Sequence, residues 1–242
     1  MNAWQALSSD PNAPELSRMR QEKLSQAGHQ PLIEDRVSHL CALVKGRSVL
    51  DVGIVEHMLD ASKSSRWLHR HIRAQARECL GIDILEKEIC QLQSEGYNVR
   101  CWDVLKEPLP AKYETIVCGE VLEHVEAPGK LMENCARMLL PQGLLVITVP
   151  NPWYANVLLK NLSGKTIFVD SADHVAWFDP ATMFELGARY GLMLERYAGL
   201  KVERGTSWRS KLFITLYPVL VALGFKRELF AKSILYEFRL ST

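Results

Sequence analysis

The chain has 242 residues, enough for one large α/β domain. Lys and Arg number 29 and Asp and Glu 28, so the formal net charge is +1, which excludes a general nucleic-acid binder with a strongly basic face. The six cysteines form no CxxC pair, which excludes a disulfide framework or thiolate zinc site and suits a reducing compartment. No apolar run reaches the roughly 20 residues of a spanning helix. The start, Met1-Asn-Ala-Trp-Gln, lacks the basic-then-apolar pattern of a signal peptide, so the reading expects a cytoplasmic protein.

Residues 1–30 are polar, and Glu15 to Gln26 reads as a surface helix. Pro31 to Lys45 reads as a second helix, with Pro31 in its first turn, apolar residues at helical spacing and Gly46 as its cap. Ser48-Val-Leu-Asp-Val-Gly53 is a short apolar run with an acid near its end, as expected of a strand buried on both faces. Residues 62–77 read as a helix, 79–83 as a second strand ending in Asp83, and 86–95 as a helix stopped at Gly96. A third strand spans 98–103 and ends in Asp103, and a fourth spans 113–118. Gly119-Glu-Val-Leu-Glu-His-Val125 is a loop or short helix, followed by a helix over 127–139. Pro141-Gln-Gly143 reads as a turn and Leu144–Val149 as the fifth strand. Beyond it, 153–178 is polar and bracketed by Trp153, Tyr154, Trp177 and Phe178. Asp179-Pro180 caps a helix running to Tyr190, 192–201 is a sixth strand, 212–225 is an apolar stretch containing Pro218, and 233–240 is a last strand. The divisions are a helical lead-in (1–47), an α/β core (48–152), a lid or insert (153–191) and a C-terminal completion of the sheet (192–242). Strands that end in carboxylates and alternate with helices read as a nucleoside-binding sheet, with the ligand beyond the strands' carboxyl ends.

Segments matching one family follow in order: Val49-Leu-Asp-Val-Gly53, Gly81-Ile-Asp83, the strand end at Asp103, Thr115-Ile-Val-Cys-Gly-Glu-Val-Leu-Glu-His124 and Leu139-Leu-Pro-Gln-Gly-Leu-Leu-Val-Ile-Thr-Val-Pro-Asn151. Together they resemble the class I S-adenosylmethionine-dependent methyltransferases, in the small-molecule branch that includes ubiquinone-biosynthesis and glycan or lipid enzymes. The resemblance implies a Rossmann-like, mostly parallel seven-stranded α/β sheet, helices on both faces and an antiparallel last strand. It also implies roles. Gly53 would let backbone approach the methionine part of the cofactor; apart from the resemblance, Asp51 can order that loop, and Glu56 and His57, where the loop departs from the family's glycines, can bind the amine and carboxylate of the methionine tail instead. Asp83, with Ile84 beside it, would take the ribose hydroxyls. Asp103 would take the adenine amino group, with Trp102 or Val104 against the ring. Gly119 and Glu120 would lie under the sulfonium. Positions 55 and 57, glycines in much of the family, are Val55 and His57 here.

Each assignment has a structural counterpart. Asp51 can be a turn-forming residue and Asp103 a cap. His124 and His174 are candidate bases near the acceptor, and equally loop-holding histidines. The aromatics over 153–178 can form an acceptor lid or a local core. His69 and His71 fall on different helix faces, and no metal site is expected. The implied activity is methyl transfer from S-adenosylmethionine to a small-molecule, glycan or lipid-linked acceptor, at oxygen before nitrogen or carbon. The alternative is a non-catalytic scaffold of the same fold, which Val55 and His57 favour. A nicotinamide dehydrogenase is disfavoured by the missing glycines. The apolar 212–225 stretch between Arg209, Lys211, Lys226 and Arg227 suggests peripheral contact of 209–227 with the inner face of a membrane, against the simpler reading of a helix covering the sheet.

Overall fold

A computed structural model of the chain describes residues 10, 12–55, 64–164, 171–201 and 217–240. A seven-stranded sheet carries β1 (Ser48–Val52), β2 (Glu78–Asp83), β3 (Val99–Cys101), β4 (Tyr113–Gly119), β5 (Leu139–Pro150), β6 (Leu192–Lys201) and β7 (Ala231–Leu240), in the order β3-β2-β1-β4-β5-β7-β6. β1 to β5 pair in parallel, whereas β7 runs antiparallel to both β5 and β6. This is the Rossmann-like mixed sheet that the resemblance implied. The strand order reverses between β1 and β4, which opens a crevice at their carboxyl ends.

The central strands are apolar throughout because both faces are covered. Leu50, Ile116, Leu145, Ile147, Tyr236 and Phe238 face one core, and Val49, Val117, Leu144, Val146 and Leu235 face the other. Adjacent residues therefore alternate between two buried layers, as the pleat demands. The first core is filled from α5 (Pro128–Met138) and α7 (Pro180–Arg189), the second from α2 (Arg36–Val44) and α3 (Leu68–Gln75). Between α3 and α5 lies α4 (Glu86–Ser94), which packs Ile89 and Leu92 with Ile54, Trp67 and Val99. α7 starts where Asp179-Pro180 places it: Asp179 accepts from the Thr182 N–H at 2.8 Å in a reciprocal capping box.

The lead-in departs from the sequence reading. α1 (Pro14–Gly28) packs against β6 and α7, while α2 packs Leu40 and Val44 against Val49 of β1. Pro31, Leu32 and Ile33 are outside α2, which begins after Asp35; the Asp35 carboxylate accepts from the N–H groups of Val37 and Ser38. Ile33 bridges to the end of β6, donating to the Gly199 carbonyl and accepting from the Lys201 N–H, both at 2.9 Å. Pairing with a distant strand thus overrides the helical spacing of Leu32 and Ile33. β5 starts earlier than expected, at Leu139. The Pro141-Gln-Gly143 turn lies within it as an irregularity with Gln142 at φ 61°. The helix α6 (Ala155–Ser163) stands where no element was read. A short helix covers 217–222, so Pro218 sits in a first turn where its missing N–H costs little; residues 212–216 lie outside the described residues.

Phe238 packs tightly in the first core: a Cβ on Gly187 would lie 2.5 Å from its ring. Phe238→Ala is expected to lower the unfolding free energy by about 3–5 kcal/mol in urea titrations without changing the strand content seen by circular dichroism.

Candidate active site

The crevice collects the carboxyl ends of β1, β2 and β4. Asp83 ends β2, is buried, and accepts from the Val55 N–H at 2.9 Å and the Leu85 N–H at 3.2 Å. Burial pushes its carboxyl above the usual range, and those two N–H groups oppose the shift. Two donors leave this carboxylate with accepting capacity for a further ligand. Next to it Ile84 is 67% exposed, an apolar surface beside a polar anchor. Gly53 follows β1 at φ +74°, and a Cβ there would lie 2.3 Å from Val121 Cγ2, so both conformation and space require glycine. Val55 does not lie in the left-handed region. A branched residue at 55 therefore costs this loop no backbone strain, and its N–H is used by Asp83. Glu56 and His57 lie outside the described residues.

Asp51 is buried, and its Oδ2 lies 2.8 Å from Nδ1 of His69, itself fully enclosed on α3. The imidazole passes over Gly81, where a Cβ would sit 2.7 Å from Cε1. Trp67 donates to the Ile54 carbonyl at 2.8 Å. Asp51 is thus closed to solvent against α3, while Trp67, from the same segment, holds the loop through Ile54. His71, two residues on and on a different face of the helix, is half-buried, with its Nε2 2.7 Å from the Ser65 carbonyl oxygen. Asp103 accepts from the Leu105 N–H at 3.0 Å and meets Lys106 at 3.4 Å, contacts that hold the turn after β3. Val104 is buried, and the Trp102 indole donates to the Glu107 carbonyl at 3.0 Å. A groove of about 660 Å³ lined by Trp102, Lys106, Leu109, Lys130 and Arg137 borders that loop.

After β4 the chain bends sharply. Glu120 has φ 58°, a conformation that costs a non-glycine residue on the order of 1 kcal/mol or more and concentrates at functional sites. A 3-10 turn, Leu122–His124, follows. The Val175 N–H donates to the Glu123 carbonyl at 2.9 Å and so ties the 171–178 segment to this turn. That contact brings the two candidate histidines together, with ring centroids 4.6 Å apart. Nδ1 of His124 lies 3.0 Å from Asp173 Oδ2. Ligand atoms of Glu123, His124 and His174 all lie within 4.8 Å of one another, a spacing that can hold a metal ion and that the sequence reading did not foresee. Of the expected aromatic lid, Trp153 and Trp177 are exposed, while Phe178 belongs to the core.

Three members of the site escaped the sequence reading. A Cβ on Gly119 would lie 2.5 Å from Nη2 of Arg36, so an N-terminal guanidinium reaches the floor of the crevice. Nothing in the Arg36 segment announces this. Asp173 was readable only as the neighbour of His174. Glu123 carried no signal of its burial, since Glu120 three residues before it lies at a left-handed bend outside the 3-10 turn. Glu123 is buried, and neither carboxylate oxygen has a hydrogen-bond partner of normal geometry among the described residues. Burial and then the charge of Glu120 push its carboxyl from 4.5 to about 8, against the pull of Arg36.

That shift has a definite sign in stability. Below the unfolded value of 4.5 both states carry the proton; between there and about 8 only the folded chain keeps it, so folding weakens as pH rises through this window. Glu123→Gln removes the dependence. Its stability relative to wild type is expected to grow by a few kcal/mol (roughly) between the two ends of the window, read by urea unfolding.

Known proteins share this fold. The family model described as "Methyltransferase domain" matches residues 20–197, well over half of the chain. A ubiquinone biosynthesis O-methyltransferase of Xylella fastidiosa (strain 9a5c) is 25% identical over 185 residues, 71% of this chain and 70% of the relative. One of Paraburkholderia phytofirmans is 28% identical over 141 residues, 56% of this chain and 54% of the relative. Among solved structures, magnesium protoporphyrin IX methyltransferase from Synechocystis aligns with TM-score 0.57 at 15% identity, over 98% of this chain and 100% of that one. The Bradyrhizobium japonicum N-methyltransferase NodS, complexed with S-adenosyl-L-homocysteine, aligns with TM-score 0.51 at 15% identity, over 100% of both chains. The chain belongs to the methyltransferase domain family and is a class I methyltransferase that uses S-adenosylmethionine as its methyl donor.

Proposed function

We propose that the enzyme methylates a hydroxyl oxygen of a small-molecule, glycan or lipid-linked acceptor, with His124 receiving the hydroxyl proton. The observation that carries this reading is the 3.0 Å contact between His124 Nδ1 and Asp173 beside the crevice. A carboxylate at Nδ1 holds the proton there and leaves Nε2 as the acceptor of another. His174, against the same ring, shapes the acceptor side. The relatives named O-methyltransferases support oxygen as the methylated atom.

The crevice suits the cofactor. Asp83 retains capacity for ribose hydroxyls, Ile84 offers an apolar wall, Gly53 allows close backbone approach, and Arg36 supplies a cation for the methionine carboxylate. Asp103, at the turn after β3, and Val104 would border the adenine, and Gly119 and Glu120, at the end of β4, would lie at the methionine end. The cofactor supplies a methyl group on a positively charged sulfur. With that donor bound, the chain's part would be to hold the acceptor hydroxyl in line with the methyl group, which would pass from sulfur to the acceptor oxygen, and to receive the hydroxyl proton at His124. Alignment of donor and acceptor provides most of the rate, and the protein's task is to hold them in line.

A second reading rests on the Glu123, His124 and His174 spacing: a divalent cation held there would acidify the acceptor hydroxyl in place of a base. The two separate in one assay with hydroxylated quinone precursors, glycans and lipid-linked sugars as acceptors. The base reading expects product methylated at oxygen and turnover that survives exhaustive chelation. It also expects His124→Ala to lose about 10²–10⁴ in turnover with cofactor affinity retained. Turnover lost on chelation and restored by added Mg²⁺ or Zn²⁺ would transfer the role to the cation. Full turnover of His124→Ala without metal would remove both.

A further inference from the structure

The sequence reading placed a membrane contact at 209–227, of which 209–216 lie outside the described residues. A larger surface lies beside the part of it that is described. β5 and β7 are antiparallel, and Pro150 pairs with Ser233, so the chain leaving β5 and the chain entering β7 meet at one end of the sheet. It is the end that holds Asp83, Gly119 and Glu120, because β5 is parallel to β4 and β1.

Asn151 joins the two segments there. It is buried and donates to the carbonyls of Glu228 at 2.7 Å and Ala231 at 2.9 Å; its Oδ1 accepts from the Trp153 N–H at 3.0 Å, and its own N–H donates to the Lys232 carbonyl at 2.8 Å. One side chain thus fixes the entry to α6 against the entry to β7. Tyr217 packs edge-on against Phe230 at 5.1 Å, which folds the 217–222 helix back onto the same stem.

Both segments then present apolar side chains to water. Leu162 is 84% exposed and Leu223 72%, and Trp153, Leu159, Val219 and Phe225 are each more than half exposed. On α6, Leu158, Leu159 and Leu162 share one face, while Val157 on the other is buried. The charges nearby are mostly basic: Lys160, Lys226, Arg227 and Lys232 against Glu228 within 153–164 and 217–232, with Asp179 accepting from the Trp153 indole at 3.2 Å. Apolar residues rimmed by Lys and Arg on short helices are the chemistry of an interfacial surface that meets anionic lipid. No helix among the described residues is long and apolar enough to cross a bilayer.

We propose that α6 and the 217–225 segment form a docking face for an anionic bilayer, set at the mouth of the active-site crevice. The apolar residues enter the headgroup boundary and the basic ones meet lipid phosphates. The crevice then opens toward the lipid, where an amphiphilic acceptor would reside. The inference rests on the surface and holds whichever acceptor atom is methylated.

The test is co-sedimentation of the full chain with phosphatidylcholine vesicles containing or lacking phosphatidylglycerol. Binding is expected only with the anionic lipid and is expected to fall as salt rises. Leu162→Asp with Leu223→Asp, and separately Lys226→Glu with Arg227→Glu, should each reduce the bound fraction at least about tenfold, with the thermal unfolding midpoint and cofactor-induced shift of wild type. Wild-type protein that stays in the supernatant overturns the proposal, as does unchanged binding of both double variants. Concentration-dependent self-association abolished by the leucine variant, without lipid binding, assigns the face to a second copy of the chain and overturns it too.

Discussion

The crevice is shaped by a constraint on charge: a carboxylate buried at a strand end must be compensated or neutralised. Asp83 meets it with the N–H groups of Val55 and Leu85, and in doing so sets the path of the loop after β1. Asp51 meets it with His69, which is why α3 packs where it does and why Gly81 carries no side chain beneath the imidazole. Glu123 meets it by holding its proton, pushed up to about 8. These three solutions sit at the ends of β1 and β2 and just beyond β4, around one crevice. Their combined cost is characteristic of a site kept for binding and chemistry.

The compensation explains how the loop tolerates residues unusual in the family. A glycine is needed at 53, where φ is positive and Val121 presses from one side. It is not needed at 55, whose conformation a branched residue accepts and whose backbone N–H does the useful work. The cofactor carries no pyrophosphate, so the backbone cradle that dinucleotides demand can be reduced. Val55, read from sequence as a mark of a non-catalytic relative, is compatible with an enzyme.

Much of the sheet was legible because its strands are short apolar runs bounded by Gly, Pro and acids. β6 matches its expected limits, and the ends of β2 and β4 fall within a residue of theirs. Failures came where distant contacts decide. Ile33 looked helical and pairs with Leu200 instead. Leu139 looked like the end of a helix and begins β5, because it finds Tyr113 across the sheet. Within the site, Asp83 and Gly53 were legible since chemistry forces them locally, and His124 and His174 were legible as types. Their meeting was not, because it depends on the Val175–Glu123 backbone bond. Arg36 and the His69–Asp51 contact carry no local signature; each side chain gains its meaning from a residue far along the chain.

Calorimetric titration of wild type and Asp83→Ala with S-adenosylmethionine and S-adenosylhomocysteine tests the crevice most directly. Two hydrogen bonds lost from a buried carboxylate predict an affinity at least about tenfold lower in the variant for both ligands, with the unliganded fold intact by circular dichroism. Equal affinity in the two proteins would place the cofactor elsewhere and leave the buried carboxylate at the end of β2 with no part in binding it.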